Sequence, residues 1–287
     1  MVEAWRLIYE DSDDPAFHLA SLEALWRSLD EGPAPDTIVL RRLSPCVLIG
    51  SSQDADEEVD LHECRKRGIP VLRRPSEGGA IYCDRDCLVF SCLCRRCGTS
   101  FGNQSELLLF WGRVVVKALQ RLGVTSDACF IRPNDVTING KKVAGLTITD
   151  WYGIRAFSGA LLIDCDIVSM SAVLTPGLEK LKRHGADDLA GRLASLRQTL
   201  HSPLSHKIVA EALLASISSE CSKPVIRGNL TNQELELTNE LQKEKYGNPR
   251  WNQCCGSPAE ALIPPATAAT VTVAEGCPAN HTTEGEG

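Results

Sequence analysis

The amino-acid sequence predicts an α+β fold with a central mixed, largely antiparallel β-sheet flanked by helices. Short β-rich runs follow one another through tight turns, and Asn139-Gly140 is a strong type I′ hairpin signal. Helical segments, of which 105–122 is the clearest, are interspersed among these runs and do not alternate regularly with them. With 287 residues and 43% hydrophobic content, the chain can bury one large core.

The first part of the chain mixes strands and helices. Asp14 followed by Pro15 predicts the start of the first helix, because an aspartate caps and a proline fits the first helical turn. The runs on either side of Ser44-Pro45 read as a hairpin-like pair of strands. The predicted elements up to residue 94 are strands at 5–9, 37–43, 46–50 and 69–73, two more within 80–94, and a helix at 59–67.

The rest of the predicted domain carries a second hairpin and three helices. Strands are expected at 136–138, 143–149 and 154–163, and helices at 105–122, 168–183 and 205–220. A capping box of Thr231 and Glu234 starts a last helix that ends before Gly247. We expect a catalytic domain at 1–222, a short helical extension at 223–252 and a disordered tail at 253–287, where Pro, Ala, Thr, Gly and Glu dominate.

Composition excludes several classes of protein. A net charge of −7 argues against general nucleic-acid binding. No apolar run approaches the roughly 18 residues of a membrane helix, and the N-terminus lacks a signal-peptide pattern. We therefore expect a cytoplasmic protein that contacts neither nucleic acid nor membrane, and whose 13 cysteines are mostly reduced thiols.

The densest cysteines lie between residues 83 and 97. Cys94 and Cys97 form a CxxC, but no second CxxC follows at zinc-finger spacing. Cys92 and Cys94 belong to a strand-like run, where a thiol packs as a small apolar side chain. We predict no metal site; a zinc or iron–sulfur site and redox chemistry are the alternatives.

Two segments carry candidate chemistry. Segment 134–145 places Lys141 and Lys142 at the hairpin bend, from which an ammonium group can point into a cleft. Segment 73–84 offers two arginines, a serine and a glycine bend ahead of an apolar strand. Together they suggest a site for an acid anion, a carboxylate joined to a phosphate. Since neighbouring strand residues face opposite sides, only one of the two arginines, Arg73 or Arg74, can face this anion site.

Four segments resemble, in order, the motifs of the lipoate–protein ligase A family. This family belongs to the superfamily of biotin and lipoate ligases and octanoyltransferases. The matching segments begin at Pro45, Arg73, Asn134 and Gly159, and read PCVLIGSSQ, RRPSEGGAIYCD, NDVTINGKKVAG and GALLIDCD. The resemblance covers residues 3–220, and residues 230–251 also resemble the segment that follows this domain in longer members.

The resemblance implies a biotin/lipoate-ligase-like catalytic domain with a buried acyl tunnel. Family members activate lipoate with ATP to lipoyl-AMP and transfer the lipoyl group to a lysine of a carrier domain. The implied cosubstrates are ATP and Mg²⁺, with no tightly bound cofactor. The implied partners are the lipoyl domain of a 2-oxoacid dehydrogenase or a glycine-cleavage H-type carrier. The short C-terminal helix, in place of a full accessory domain, leads to the hypothesis of a separate accessory protein for adenylation.

Residue roles follow from the matched motifs. Lys142 is the implied catalytic lysine, contacting the carboxylate and the α-phosphate. The implied substrate- and adenylate-binding residues are Arg74, Ser76, Gly78, Gly79, Ala80, Ile81, Tyr82, Gln53, Asp135 and Gly145.

The sequence also departs from the family pattern. Glu77 stands at the first loop glycine, Cys83 at the loop histidine and Ser158 at the histidine before the Gly159 motif. Ser51 follows Gly50 where an arginine is often found.

Two alternatives to the ligase remain open. Cys129 begins a Cys-Phe-x-x-Pro pattern that resembles the one in octanoyltransferases, which would make it the acyl-thioester nucleophile of an ATP-independent octanoyl- or lipoyltransferase. Glu77 favours a non-catalytic relative that binds an acyl group or a carrier.

Overall fold

The computed structural model describes residues 4–95, 103–124, 127–151, 153–175 and 189–253. Beyond Gln253, the predicted disordered tail lies outside the described residues, as do Cys97 and most of the C-terminal half of the helix predicted at 168–183.

Eight strands form the main sheet, and five of its seven strand pairings are antiparallel. The strands are β1 (Trp5–Ser12), β2 (Thr37–Leu43), β3 (Cys46–Ile49), β4 (Val71–Arg73), β5 (Ile81–Cys83), β6 (Cys87–Arg95), β7 (Ala128–Ile131), β8 (Asp135–Ile138), β9 (Lys141–Trp151), β10 (Ile154–Leu162) and β11 (Val225–Arg227). The main sheet has the order β11-β1-β2-β6-β10-β9-β8-β7, and β4-β3-β5 form a small second sheet. The predicted mixed, largely antiparallel α+β fold is confirmed.

The hairpin predicted around Ser44-Pro45 is wrong. Both strands exist, but β2 pairs with β1 and β6, whereas β3 pairs with β4 and β5. Because both edges of β2 are already occupied, β3 cannot add to it and starts the small sheet. By contrast, the hairpin of β8 and β9 is confirmed, with positive φ at both Asn139 and Gly140.

The helices that the structure describes are α1 (Pro15–Glu31), α2 (Ala55–Glu58), α3 (Leu61–Arg67), α4 (Gln104–Arg121), α5 (Ile167–Val173), α6 (Leu189–Arg192), α7 (Leu196–Leu200), α8 (His206–Cys221), α9 (Asn232–Leu241) and α10 (Pro249–Gln253), with a π-helical turn at Gln242–Tyr246. In these parts of the chain, no helix has both the length and the apolar character needed to cross a bilayer.

Local sequence explains where the main helices start. The Asp14 carboxylate accepts the backbone N–H of Ala16 at 2.8 Å, with Pro15 in the first turn of α1. Thr231 and Glu234 form the predicted capping box of α9. The helix predicted at 168–183 instead ends at Val173, because Leu174 is extended and pairs with Val59.

The two faces of the main sheet are covered differently. On one face, α4 and α8 pack on large side chains, and the Trp111 ring stacks on Phe157 with 4.4 Å between centroids. On the other face lie α1 and the small sheet, facing small residues of β9 and β10 such as Gly145 and Ala160. This second face contains the cavity described below.

The segment after residue 222 packs into the same body. β11 extends the main sheet in parallel with β1. The buried Tyr246 hydroxyl donates to Glu23 of α1, and Lys245 lies 2.7 Å from the same carboxylate. Arg73 fastens α10, because its backbone N–H donates to Asn252 at 2.9 Å and Trp251 Nε1 donates to its carbonyl at 2.8 Å.

We expect Gly112→Ala to lower the free energy of unfolding by about 1–3 kcal/mol, since overpacking forces neighbours to shift. A Cβ at Gly112 would lie 2.4 Å from Phe130 Cγ, where α4 supports β7. Gly32→Ala is the control, because its Cβ would meet nothing closer than 3.4 Å. Urea denaturation of the two variants measures the difference; equal stability would contradict this account of α4 packing.

Candidate active site

A cavity of about 450 Å³ lies between the main sheet and the elements that cover its second face. Its floor is formed by β6, β9 and β10, through residues such as Val89, Gly145 and Ala160. Leu19 of α1 and the loop 76–80 form the opposite wall. The lining is mostly apolar with polar groups at particular points, which is typical of a small-molecule site.

Arg74 organises the loop between β4 and β5. Its Nη1 donates to Leu48 O at 2.8 Å, its Nη2 to Gly79 O at 2.9 Å and Glu77 O at 3.0 Å, and its Nε to Ser76 Oγ at 3.1 Å. Burial lowers the pKa of the guanidinium to about 10, which still leaves it charged at neutral pH. Arg74 lines the cavity. Three of its hydrogen bonds hold the 76–79 loop, and a fourth holds Leu48.

Two glycines let the 76–79 loop approach the 50–53 turn. Gly78 has φ of +108°, a conformation that side chains rarely adopt. A Cβ on Gly50 would lie only 2.2 Å from Gly78 O. The backbones at 50–53 and 76–79 are consequently in direct contact, and Ser51 N donates to Ser76 O at 3.0 Å.

Glu77 faces away from the cavity. Its two carboxylate oxygens accept the hydroxyls of Ser51 and Ser52, each at 2.7 Å, and Glu77 is exposed. Two of the departures from the family pattern, Glu77 and Ser51, are therefore partners of each other. The Glu77 carboxylate links the 76–79 loop to the 50–53 turn. Glu77 is not among the residues that line the cavity.

Asp135, Lys142 and Arg192 form a charged cluster at the cavity wall. Lys142 Nζ lies 2.6 Å from Asp135 Oδ1, and Arg192 Nη2 donates to Asp135 Oδ2. Burial by itself would raise the pKa of Asp135, but the charges of Lys142 and Arg192 outweigh it and lower this pKa below its ordinary value. Among the described residues, these two cations share the one carboxylate of Asp135.

The β8–β9 hairpin explains how Lys142 reaches this place. An irregularity between Val136 and Thr137 shifts the register, so that Thr137 pairs with Lys142 while Asp135 pairs with Gly145. A Cβ on Gly145 would lie 3.1 Å from Lys142 Nζ, so the glycine leaves room for the lysine to lie along the strand. Gly145 thus makes space for Lys142, and its role in substrate binding stays a prediction.

Arg192 was not anticipated from the sequence. It comes from α6, which is fastened to the start of β9 by the Ala194 N–H donating to Lys142 O at 3.0 Å. No motif marks it, because its partner Asp135 is 57 residues away. Only the docking of residues 189–194 beside β9 brings the two together.

The other predicted binding residues fall into two groups. Ser76, Gly78, Gly79, Ala80, Ile81 and Tyr82 line the cavity. Gln53 is not among the lining residues; its Oε1 accepts the Gly50 N–H at 2.8 Å and closes the 50–53 turn. The binding roles of both groups remain predictions.

Cys129 lies on β7, at the edge of the main sheet, and is not among the residues that line the cavity. Its Sγ is 3.4 Å from Thr137 Oγ1. Cys83, at the position of the family's loop histidine, is fully buried on β5, opposite the free Cys46 of β3 in the small sheet. Burial raises the pKa of the Cys83 thiol well above the ordinary value. This thiol is a neutral core group.

Within the described residues, Asp84, Cys87 and Cys165 place ligand-type atoms within 4.8 Å of one another. Both oxygens of Asp84 already accept backbone N–H groups, from Asp86 at 2.9 Å and Asp166 at 2.8 Å. A hydrogen bond of the Cys165 thiol with Cys87, together with burial, raises the pKa of Cys165, which favours the protonated thiol over a metal-binding thiolate.

A family model described as the lipoyl protein ligase A/B catalytic domain matches residues 14–218. Octanoyltransferase LipM of Brevibacillus brevis is 26% identical over 274 residues, which are 88% of this chain and 99% of that protein. A chain in the structure of a bi-partite lipoate protein ligase and its E2 lipoyl domain from Thermoplasma acidophilum has 28% identity and a TM-score of 0.78, covering 90% of this chain and 98% of that one. Lipoate-protein ligase A bound with ATP has 25% identity and a TM-score of 0.76, covering 89% and 100%.

We expect Asp135→Asn to destabilise the protein by about 2 kcal/mol at pH 7, because the amide leaves Lys142 and Arg192 without their anion. Because its pKa is lowered on folding, Asp135 contributes stability above its unfolded value of about 4, and this contribution is lost as the pH falls through the folded value. The stability gap between wild type and variant should therefore close in acid.

Urea denaturation between pH 3 and pH 7 measures this gap. Asp13→Asn serves as control, because Asp13 pairs with Arg85 at the surface, where an ion pair contributes little. A gap of constant size across the pH range would contradict the assignment of the Asp135 charge.

Proposed function

The chain belongs to the lipoyl protein ligase A/B catalytic domain family, and from this membership we propose that it is an ATP-dependent lipoate–protein ligase of the cytoplasm. The acid's carboxylate oxygen attacks the α-phosphorus of ATP, forming an acyl-phosphate bond and releasing pyrophosphate. A lysine amine of a carrier domain then attacks the acyl carbon, forming an amide and releasing AMP and a proton. The cluster of Asp135, Lys142 and Arg192 at the cavity wall is the observation that carries the proposal.

Lys142 serves both steps. Negative charge develops on the phosphate oxygens during adenylation and on the carbonyl oxygen during transfer, and a fixed cation stabilises both. Asp135 holds the ammonium group in place beforehand, so little reorganisation is needed. The two cations held at the cavity wall suit an anionic adenylate.

The glycine loop would cover the phosphate. Arg74 draws the carbonyl oxygens of Glu77 and Gly79 toward itself. The opposite, N–H side of these peptides is then available to an anion. Ile81 and Val89, on the cavity wall, supply apolar surface for the acyl chain.

ATP use has two supports. The Glu77 carboxylate is bound to Ser51 and Ser52, so it does not oppose a triphosphate from inside the cavity. The chain is also similar to a ligase solved with ATP. ATP enters as its Mg²⁺ complex; both oxygens of Asp135 are already paired, so we assign no protein ligand to the metal.

The acceptor would be a lipoyl carrier domain of a 2-oxoacid dehydrogenase or an H-type glycine-cleavage protein. The likeness to a bi-partite ligase that was solved with its E2 lipoyl domain supports this acceptor class. The same likeness supports a second protein chain that assists adenylation.

An ATP-independent octanoyl- or lipoyltransferase is the second candidate, and the similarity to octanoyltransferase LipM favours it. In that reaction the Cys129 thiolate attacks a carrier thioester, releases the carrier thiol and passes the acyl group to the acceptor lysine. We rank it second because Cys129 is not among the cavity-lining residues.

Intact mass spectrometry of a purified lipoyl domain tests the ligase. With lipoate and Mg-ATP we expect the mass gain of one lipoyl group, falling by at least about 100-fold in Lys142→Ala because the oxyanion loses its cation. Lys141→Ala is the matched control: Lys141 is the exposed neighbour and does not line the cavity. Equal losses in both variants would contradict the role of Lys142.

Cys129→Ser separates the two candidates. We expect it to retain ATP-dependent transfer, and octanoyl-carrier protein without ATP to give no product. A gain without ATP that is lost in Cys129→Ser would establish the transferase and overturn the ligase. Preformed lipoyl-AMP isolates the second step: transfer from it, without transfer from lipoate plus ATP, would indicate that adenylation needs the second protein.

A further inference from the structure

The 76–79 loop forms part of the cavity wall, but its sequence allows it many other conformations. Ser76, Gly78 and Gly79 line the cavity. Two consecutive glycines, the first at a φ of +108°, leave the backbone of this loop with few steric restraints. A ligand that orders such a loop must offset the lost conformational entropy. A side chain that orders the loop beforehand removes this cost from binding.

Arg74 holds the 76–79 loop from the cavity side. Its Nη2 donates to the carbonyl oxygens of Glu77 and Gly79, and its Nε donates to Ser76 Oγ. Because Arg74 itself lines the cavity, a phosphate bound there would compete with these acceptors for the guanidinium N–H groups. A second link, out of reach of the ligand, would keep the loop in place while a phosphate binds.

The Glu77 side chain supplies a link on the outer side of the loop. Its Oε1 accepts the Ser51 hydroxyl and its Oε2 accepts the Ser52 hydroxyl, each at 2.7 Å. Hydrogen bonds to an ionised carboxylate are stronger than those between neutral groups. Both carboxylate oxygens are engaged, so Glu77 cannot leave this position without breaking a bond. Since Glu77 does not line the cavity, a ligand does not compete for these bonds.

The 50–53 turn, at the other end of this link, is itself firmly held. Arg73 Nη1 donates to Gly50 O at 2.9 Å and to Gln53 O at 2.6 Å. The same nitrogen donates to Ser51 O at 3.1 Å, and Arg73 is only 1% exposed. The backbone N–H of Arg73 in turn donates to Asn252 of α10. Glu77 therefore ties a glycine-rich loop to a turn that the core of the protein supports.

We propose that Glu77 is a positioning residue for ATP. Its carboxylate holds the 76–79 loop against the 50–53 turn before the nucleotide binds, in the conformation that receives the phosphates. The inference rests on the proposed function for the identity of the nucleotide. At a position where the family pattern has glycine, the glutamate thus orders the loop and does not oppose the triphosphate. Glu77 acts through the loop backbone and touches no reacting atom.

Steady-state kinetics of lipoyl transfer to a purified lipoyl domain, with ATP varied, tests the proposal. We expect Glu77→Ala to raise the KM for ATP roughly tenfold, the contribution of one hydrogen bond to a charged group. The kcat should stay within about twofold, since bound ATP orders the loop in either protein and only binding is weakened. A merely structural role would reduce the amount of folded enzyme, which lowers kcat and leaves KM unchanged.

Glu77→Gln separates the position of the side chain from its charge. The amide can accept one serine hydroxyl through its oxygen and donate to the other through its nitrogen, so the link persists without the charge. We expect the KM for ATP to rise by no more than about threefold, because neutral hydrogen bonds are weaker than charged ones. If Glu77 instead repelled the triphosphate, both Glu77→Gln and Glu77→Ala would lower this KM.

The serine partners and a surface glutamate complete the set of variants. Ser51→Ala combined with Ser52→Ala removes both donors and should raise the KM for ATP as much as Glu77→Ala does. Adding Glu77→Ala to this pair should change little more, because all three substitutions break the same link. Glu57→Ala is the matched control, since Glu57 is an exposed glutamate of α2 that does not line the cavity.

Two measurements do not depend on turnover. Titration calorimetry with a non-hydrolysable ATP analogue should show the same tenfold rise in Kd for Glu77→Ala, again the contribution of one hydrogen bond to a charged group. Amide hydrogen exchange of the ligand-free chain should become faster in the 76–79 loop of Glu77→Ala and stay unchanged in Glu57→Ala.

The inference fails if Glu77→Ala keeps or lowers the KM for ATP, or if only its kcat falls. ATP-dependent transfer by the wild type together with such a result would leave the proposed function standing. A wild type that neither binds the ATP analogue nor transfers lipoate with ATP would overturn the proposed function. Hydrogen exchange would then still decide whether Glu77 orders the loop.

Discussion

Side-chain size on the two faces of the main sheet is the constraint on which the cavity depends. Successive residues of β10 alternate, so Phe157 and Leu161 fill the core under α4, while Ser158 and Ala160 face the other side. The large residues fill the space on the first face. The small ones cannot fill the space beneath α1 and the small sheet, so a cavity remains there.

The covering wall depends on two neighbouring arginines that face opposite ways. Arg73 Nη1 donates to the carbonyls of Gly50 at 2.9 Å and Gln53 at 2.6 Å, and its backbone binds α10. Arg74 donates to the carbonyls of the 76–79 loop. Alternation predicted that only one would face the site, and Arg74 is the one that lines the cavity. That both are spent on backbone carbonyls could not be predicted, because the acceptors are set by how the small sheet folds back.

How well the sequence predicted each part follows from the range of the interactions. The β8–β9 hairpin, the α1 start and the capping box of α9 depend on residues a few positions apart, and all three are confirmed. The Ser44-Pro45 hairpin failed because strand pairing depends on which edges are free. Arg192 was missed for a similar reason: its partner Asp135 lies on another element, and a lone arginine has no local signature.

The charged cluster and the apolar floor together set the direction in which an acid can lie in the cavity. Asp135 holds Lys142 through one oxygen and Arg192 through the other, so the two cations are in place before an anion arrives. Val89 on β6 and Ala160 on β10 continue the floor away from Lys142, and their side chains offer no hydrogen-bond partner. A charged head group placed there would lose its hydration without gaining a partner, which costs free energy. The head group therefore belongs at the cluster and the apolar chain along the floor.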